Sequence, residues 1–155
     1  MADHFVRLAE PNDCIYIADR MRKEDVEEVK ARSNHEPLTA MTNGYIASIP
    51  AFTVVKNNTI PVAMFGSIPD KTLSVSGCII WMLGTDEIWD IRFQFLRESQ
   101  MWISAISRDY DLAYNLIDKG NKLHVRWLRW LGFKFVREIP EYGHQSLPFL
   151  EFVRI

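Results

Sequence analysis

Lys122, Arg126 and Arg129 recur at spacings of four and three, which on a helix puts all three on one face as a cationic stripe. On such a helix Leu123, Trp127 and Leu131 are expected to point away from the stripe, with Trp130 at its border. The stripe suits an anionic partner (phosphates, nucleic acid or an acidic protein face), and it equally describes a solvated helix surface. An exposed Trp130 would favour a protein interface, where tryptophan is enriched. His124 falls on the same segment, where an imidazole either does acid–base work near neutral pH or serves as a partly buried structural residue. The other histidines, His4, His35 and His144, form no HxxH, HExxH or Cys/His cluster with it, so no metal site is expected. GxSxG, SxxK and P-loop patterns are absent, and Cys14 and Cys78 read as packing residues, so nucleophilic catalysis has no support.

The chain around these residues has 155 positions, 18 basic and 20 acidic, for a formal charge of −2. A generic nucleic-acid binder is usually clearly basic, so any such role rests on the local stripe, and a protein partner is the stronger expectation. At this length one domain over residues 1–155 is expected, burying roughly 70% of its unfolded surface without a disulfide or metal. The two cysteines are far apart in sequence, which fits a reduced setting while leaving a single Cys14–Cys78 bridge open. No apolar run is long enough to span a membrane, and Met1–Arg7 does not read as a signal peptide. The oligomeric state is not legible.

The elements that must position these residues follow from pattern. A β segment at Phe5–Ala9 precedes the helix-start signal Pro11-Asn-Asp13, and helices are expected over Cys14–Arg22 and Glu24–Arg32, with a short third between Leu38 and Ala47. In the second, Val26 and Val29 should face one way and the carboxylates the other. Ala51–Lys56 and Thr59–Phe65 flank Asn57-Asn58, a hairpin signal, with Pro61 indicating a strand start or an edge. Gly77–Leu83 is apolar throughout, as a central strand would be. Between Trp89 and Ser107, Phe95, Leu96, Ser99, Trp102, Ile103 and Ile106 share one helical face. A strand at Asp111–Ile117, a helix from Asn121 to Leu131 stopped by Gly132, and strands at Phe133–Arg137 and Phe149–Ile155 complete an α+β order with a mixed central sheet flanked by helices.

The last third carries a resemblance. Asn121 stands eleven residues before Gly132-Phe133, with a helix between them and strands on both sides. This arrangement resembles the C-terminal half of the GNAT N-acyltransferases, and the preceding hairpin, central strand and helix match that superfamily's order over almost the whole chain. Within it, Asp25–Ala31, Trp81–Ile88, Phe95–Ser99 and Arg126–Phe133 resemble the GNAT-like proteins of short-tailed bacteriophages, which include an internal virion protein and members labelled acetyltransferases.

The resemblance implies three provisions: a glycine-rich turn whose N–H groups cradle the pyrophosphate of acetyl-CoA, a general base, and a general acid on the last helix. The turn here, Asp86–Gln94, has no glycine; Gly84 and Thr85 leave N–H groups at a helix start and Arg92 supplies charge, while Asp86, Glu87 and Asp90 would repel a pyrophosphate. Asp86 or Glu87 stands where relatives carry a base, and either carboxylate also serves as a helix-start residue. The usual tyrosine is replaced by Leu128, leaving Tyr114 (or Tyr110) as the candidate acid. Asn121 and His124 lie where the cofactor would run, and Asn121 alternatively caps the helix.

Two functions from different classes therefore remain: a GNAT-fold protein with a degenerate acyl-CoA site that acts mainly by binding, or an acyl-CoA-dependent N-acetyltransferase modifying a host protein or a small amine. Leu128 and the glycine-free turn favour binding. The phage resemblance implies the host bacterial cytoplasm or the virion interior as the place of action.

Overall fold

The structure is a computed structural model in which residues 3–155 are described. Seven strands, β1 (His4–Leu8), β2 (Ala51–Lys56), β3 (Ile60–Asp70), β4 (Gly77–Gly84), β5 (Leu112–Asp118), β6 (Lys134–Tyr142) and β7 (Leu147–Arg154), form one sheet in the order β1-β2-β3-β4-β5-β7-β6. Every pairing is antiparallel except β4 with β5. The helices are α1 (Pro11–Asp19), α2 (Lys23–Ser33), α3 (Pro37–Ala47), α4 (Arg92–Ser107) and α5 (Lys122–Trp130).

Strand alternation sorts the side chains into two layers. Ala63, Phe65, Cys78 and Ile80 face α4 and α5 and join Phe95, Ile103, Ile106, Val125 and Leu128 in the larger core. Met64 faces the other way, with Cys14, Ile17 and Met41 from α1 and α3, and Trp81 and Leu83 pack against that smaller cluster. Cys14 and Cys78 thus belong to different layers, and both are free thiols.

Local chemistry explains the boundaries. Asn57 and Asn58 both adopt positive φ, the left-handed conformation that a tight hairpin requires and asparagine tolerates. Pro61 is the second residue of β3, beside the register shift at Val54/Val55, so an interior strand accommodates it where the ladder is already interrupted. Gly132, at φ +90°, ends α5: its N–H donates to Arg129 O and the Phe133 N–H to Leu128 O. The helix expected from Trp89 begins instead with a 3₁₀ turn, Asp86–Ile91, and becomes α-helical at Arg92. Among the described residues no helix is long and apolar enough to cross a membrane.

Two packing expectations need correction. In α5 the inward face is Val125 and Leu128, continued by Leu131, whereas Leu123 is exposed and Trp127 half-buried. In α2 the carboxylates do not all face solvent. Arg22, Asp25, Glu28, Val29 and Arg32 fall within an arc of about 120° at 100° per residue, and this arc faces the sheet.

Candidate functional site

β4 and β5 run in parallel only through Gly77–Ile79 and Leu112–Tyr114, and beyond that no ladder joins them. Other groups cap the two diverging edges. The Asn115 side-chain amide donates to Ile80 O at the fork (2.8 Å). At the far end of β4 the chain between α1 and α2 folds alongside: Met21 bridges Thr85, the Arg22 N–H donates to Gly84 O (2.9 Å), and Asp25 Oδ2 accepts the Gly84 N–H (2.9 Å). Across the gap, Glu28 Oε1 accepts the Asp118 N–H at the end of β5 (3.0 Å). Helix α2 thus straddles the fork, with one carboxylate on each strand.

Strand alternation turns the N–H and C=O of Ile80, Met82 and Gly84 toward this gap, and Met82 is the member that neither Asn115 nor the α2 segment caps. Two cavities open around it. One, of about 370 Å³, extends past Glu28, Asn115 and Leu128; the other, of about 450 Å³, lies between the start of α4 and α5. Met82, Phe95, His124 and Trp127 belong to the walls of both, so the cavities adjoin at a waist. The outer part of the second cavity carries Trp89, Phe93 and Trp130, all at least 41% exposed. Its charged walls are Arg22, Arg92 and Arg126 against one carboxylate, Asp25.

The electrostatics at the waist come from burial. Arg22 is 5% exposed; its Nη1 lies 3.0 Å from His124 Nε2 and 3.4 Å from Asp25 Oδ1, and its Nε has no hydrogen-bond partner. Desolvation, reinforced by the Arg22 charge, pushes His124 down to about 4, so the imidazole is neutral at pH 7 and accepts from the guanidinium through Nε2. Desolvation raises Asp25 to about 7, outweighing the Arg22 charge and the Gly84 N–H. The Glu28 carboxyl is also raised, by burial against the opposing effects of Arg32 and the Asp118 N–H. Arg32 itself is committed to Asn115 Oδ1 (3.0 Å) and to Leu116 O.

The residues singled out from sequence are dispersed by this geometry. Gly84 and Thr85 do not leave free N–H groups: Gly84 donates to Asp25, Thr85 to Val62 O, and the Glu87 N–H reaches Thr85 Oγ1 (3.3 Å). Glu87 and Asp90 turn toward β2 and grip Lys56 Nζ at 3.1 and 2.9 Å. Asp86 is exposed, and none of these three acids lines either cavity. The expected repulsion of an anion at this turn is therefore reduced by Lys56. Tyr114 is not brought to the cleft: its hydroxyl donates to Asp70 near the closed end of the fork, and burial with that carboxylate pushes it up to about 12. Tyr110 packs against the larger core. Leu128 is buried and apolar at the place where the resemblance calls for an acid.

Arg92 and His124 do line the second cavity, Arg92 lying over the Phe93 ring at 4.5 Å. Asn121 occupies the N-cap position of α5 without a capping side-chain bond, and its buried side-chain amide lies beside Glu28. Lys122, Arg126 and Arg129 are exposed as one face, with Trp130 at its border and Arg129 over Phe135 at 5.2 Å. Among the described residues no group of His, Cys, Asp and Glu is arranged for a metal ion.

Sequence reasoning missed Arg22, Asp25, Glu28 and Arg32. The available signal was their spacing of three, three and four, two carboxylates between two arginines, a face more charged than a helix in contact with a sheet normally shows.

Solved structures share the fold over nearly the whole chain. A GCN5-related N-acetyltransferase from Kribbella flavida superposes with a TM-score of 0.72 at 15% identity, covering 97% of this chain and 96% of that one. The fold is the GNAT fold. A ribosomal-protein-S5-alanine acetyltransferase from Vibrio fischeri matches at 0.69 and 14% identity over 100% and 96% of the two chains. A spermidine N-acetyltransferase from Vibrio cholerae, in complex with CoA and spermine, matches at 0.62 and 12% over 97% and 94%. No family model and no curated protein matches the sequence. The GNAT fold is therefore shared at sequence identities that carry the architecture but not the activity.

Proposed function

We propose that this GNAT-fold protein binds an acyl-CoA in the β4–β5 fork and passes the acyl group to an amine. The observation that carries the reading is the pair of adjoining cavities at the fork, arginine- and aromatic-walled on the α4–α5 side and largely apolar with the single carboxylate Glu28 on the α2 side. The residues present fit such a ligand through side chains rather than backbone. Arg92 and Arg126 would hold the phosphates that the consumed N–H groups of Gly84 and Thr85 cannot, the aromatic mouth would take the base, and the Met82 edge would pair with the amide-containing arm. When bound, the thioester supplies an activated acyl group. The chain's own part is to exclude water at the waist and to offer Glu28, whose buried carboxyl has a raised proton affinity, as acceptor of the amine proton. Neither Asp86 nor Glu87 lines the cavities, so Glu28 is preferred to them. Calorimetric titration with acetyl-CoA, with CoA as control, should show micromolar binding; no heat and no thermal stabilisation at millimolar ligand would overturn the reading.

A second reading, action by binding alone, is favoured by one observation: Leu128 offers no proton where the resemblance calls for a tyrosine. In that reading the exposed face of Lys122, Arg126, Arg129 and Trp130 engages an acidic protein, inside a virion or in an infected host as the phage resemblance would have it. Reversing Arg126 and Arg129 to Glu should then abolish capture of the partner; capture that persists at ordinary salt would discard this surface.

A further inference from the structure

We infer that Arg22 is the residue on which the departing sulfur rests, its guanidinium taking by charge the part that a hydroxyl donor at position 128 would take by proton. The inference rests on the acyl-CoA reading above and names a catalytic group within it.

Three observations lead to Arg22. The guanidinium lines the second cavity beside the waist shared by both cavities, yet it belongs to the segment on the α2 side of the sheet; it reaches His124 on α5 across the fork. Its Nε is buried without a partner, an unmet donor of a kind that folded proteins seldom leave unless something else completes it. His124 and Leu128 are one turn apart on α5, about 6 Å of rise, and both line the first cavity. The cation therefore contacts the residue one helical turn before the position where the acid is missing.

The surrounding charges keep it in place. Asp25 faces the guanidinium at 3.4 Å and Glu24 at 3.5 Å, while His124, neutral, acts as an acceptor and does not compete for an anion. In acyl transfer the amine nitrogen bonds to the acyl carbon, its proton passes to a carboxylate, and the electron pair of the broken C–S bond stays on sulfur. A buried guanidinium stabilises that anion without giving up a proton, because arginine does not deprotonate in proteins. His124 is a positioning residue in this arrangement.

The thiol of bound CoA reports the effect with no acceptor and no turnover. Thiolate absorbance of the CoA complex should be titrated against pH, with the complex of S-ethyl-CoA as blank. An opposite charge within contact distance lowers a titrating group by about one to three pH units, so the bound thiol should ionise at least about one unit below free CoA. Arg22→Lys should keep part of that displacement and Arg22→Met should abolish it. Binding with an unshifted thiol would overturn the role of Arg22 while leaving the acyl-CoA reading intact, and this wild-type result does not depend on any variant folding. A lowered thiol that survives in folded Arg22→Met would overturn it equally, and failure of CoA to bind would overturn both.

Discussion

Asp25 and His124 both approach Nη1 of the same guanidinium, and their proton affinities are displaced in opposite senses. A carboxyl raised from 3.8 to about 7 binds more protons in the native state than in the unfolded chain. Its contribution to stability is full below pH 3.8 and is lost as the pH rises to about 7. An imidazole lowered from 6.5 to about 4 does the reverse: its contribution is full above pH 6.5 and is lost as the pH falls to about 4. At about 1.36 kcal/mol per pH unit of displacement, the two amount to about 4 and about 3 kcal/mol. Within the wild-type protein they nearly cancel between pH 4 and 6.5, and single substitutions should separate them. Urea denaturation from pH 4 to 8 would read the difference from wild type, so that the protein's other groups drop out. His124→Gln should be about 3 kcal/mol more costly at pH 7 than at pH 4. Asp25→Asn should improve relative to wild type by about 4 kcal/mol over the same range. Variants whose cost does not change with pH, or changes in the opposite sense, would refute the burial of these two groups against Arg22.

Other consequences are simpler to measure. Leu128→Ala removes a buried side chain from the larger core and should cost about 2–5 kcal/mol by denaturant titration; a loss below about 1 kcal/mol would mean that position 128 is not a packing position. Gly132→Ala meets nothing closer than Arg154 Nε at 4.0 Å, so its cost is that of holding an L-residue at φ +90°, about 1–2 kcal/mol. Arg92→Ala and Arg126→Ala should each weaken acetyl-CoA binding about tenfold, as expected for a charged hydrogen bond worth about 1.5 kcal/mol, and should flatten its salt dependence; unchanged affinity at low salt would remove these side chains from the site.

Much of the architecture was legible because it is written in local chemistry. The Asn57-Asn58 turn, the Gly132 stop and the amphipathic face from Phe95 to Ile106 each depend on residues within a few positions of one another. β4 was recognisable as central because a strand covered on both sides is apolar on both faces. The candidate site was less legible. Glu87, Gly84 and Thr85 are close in sequence to the expected cofactor turn, but their bonds go to Lys56, Asp25 and Val62, partners 23 to 59 positions away. Tyr114 could be placed on a strand by pattern, but which end of the fork its hydroxyl serves depends on Asp70, 44 positions distant.

By itself the sequence determined the order of elements, the turn and cap positions, the cationic face of α5 and the absence of a tyrosine at position 128, all of which follow from residue type and spacing. Tertiary structure alone decided that α2 lies across the β4–β5 fork. A charged helix face is normally left in water, and only the unpaired edges of two diverging strands give Asp25 and Glu28 backbone donors inside the protein. The same divergence brings Arg22 and His124 together across 102 positions, a contact that no periodicity in the chain encodes.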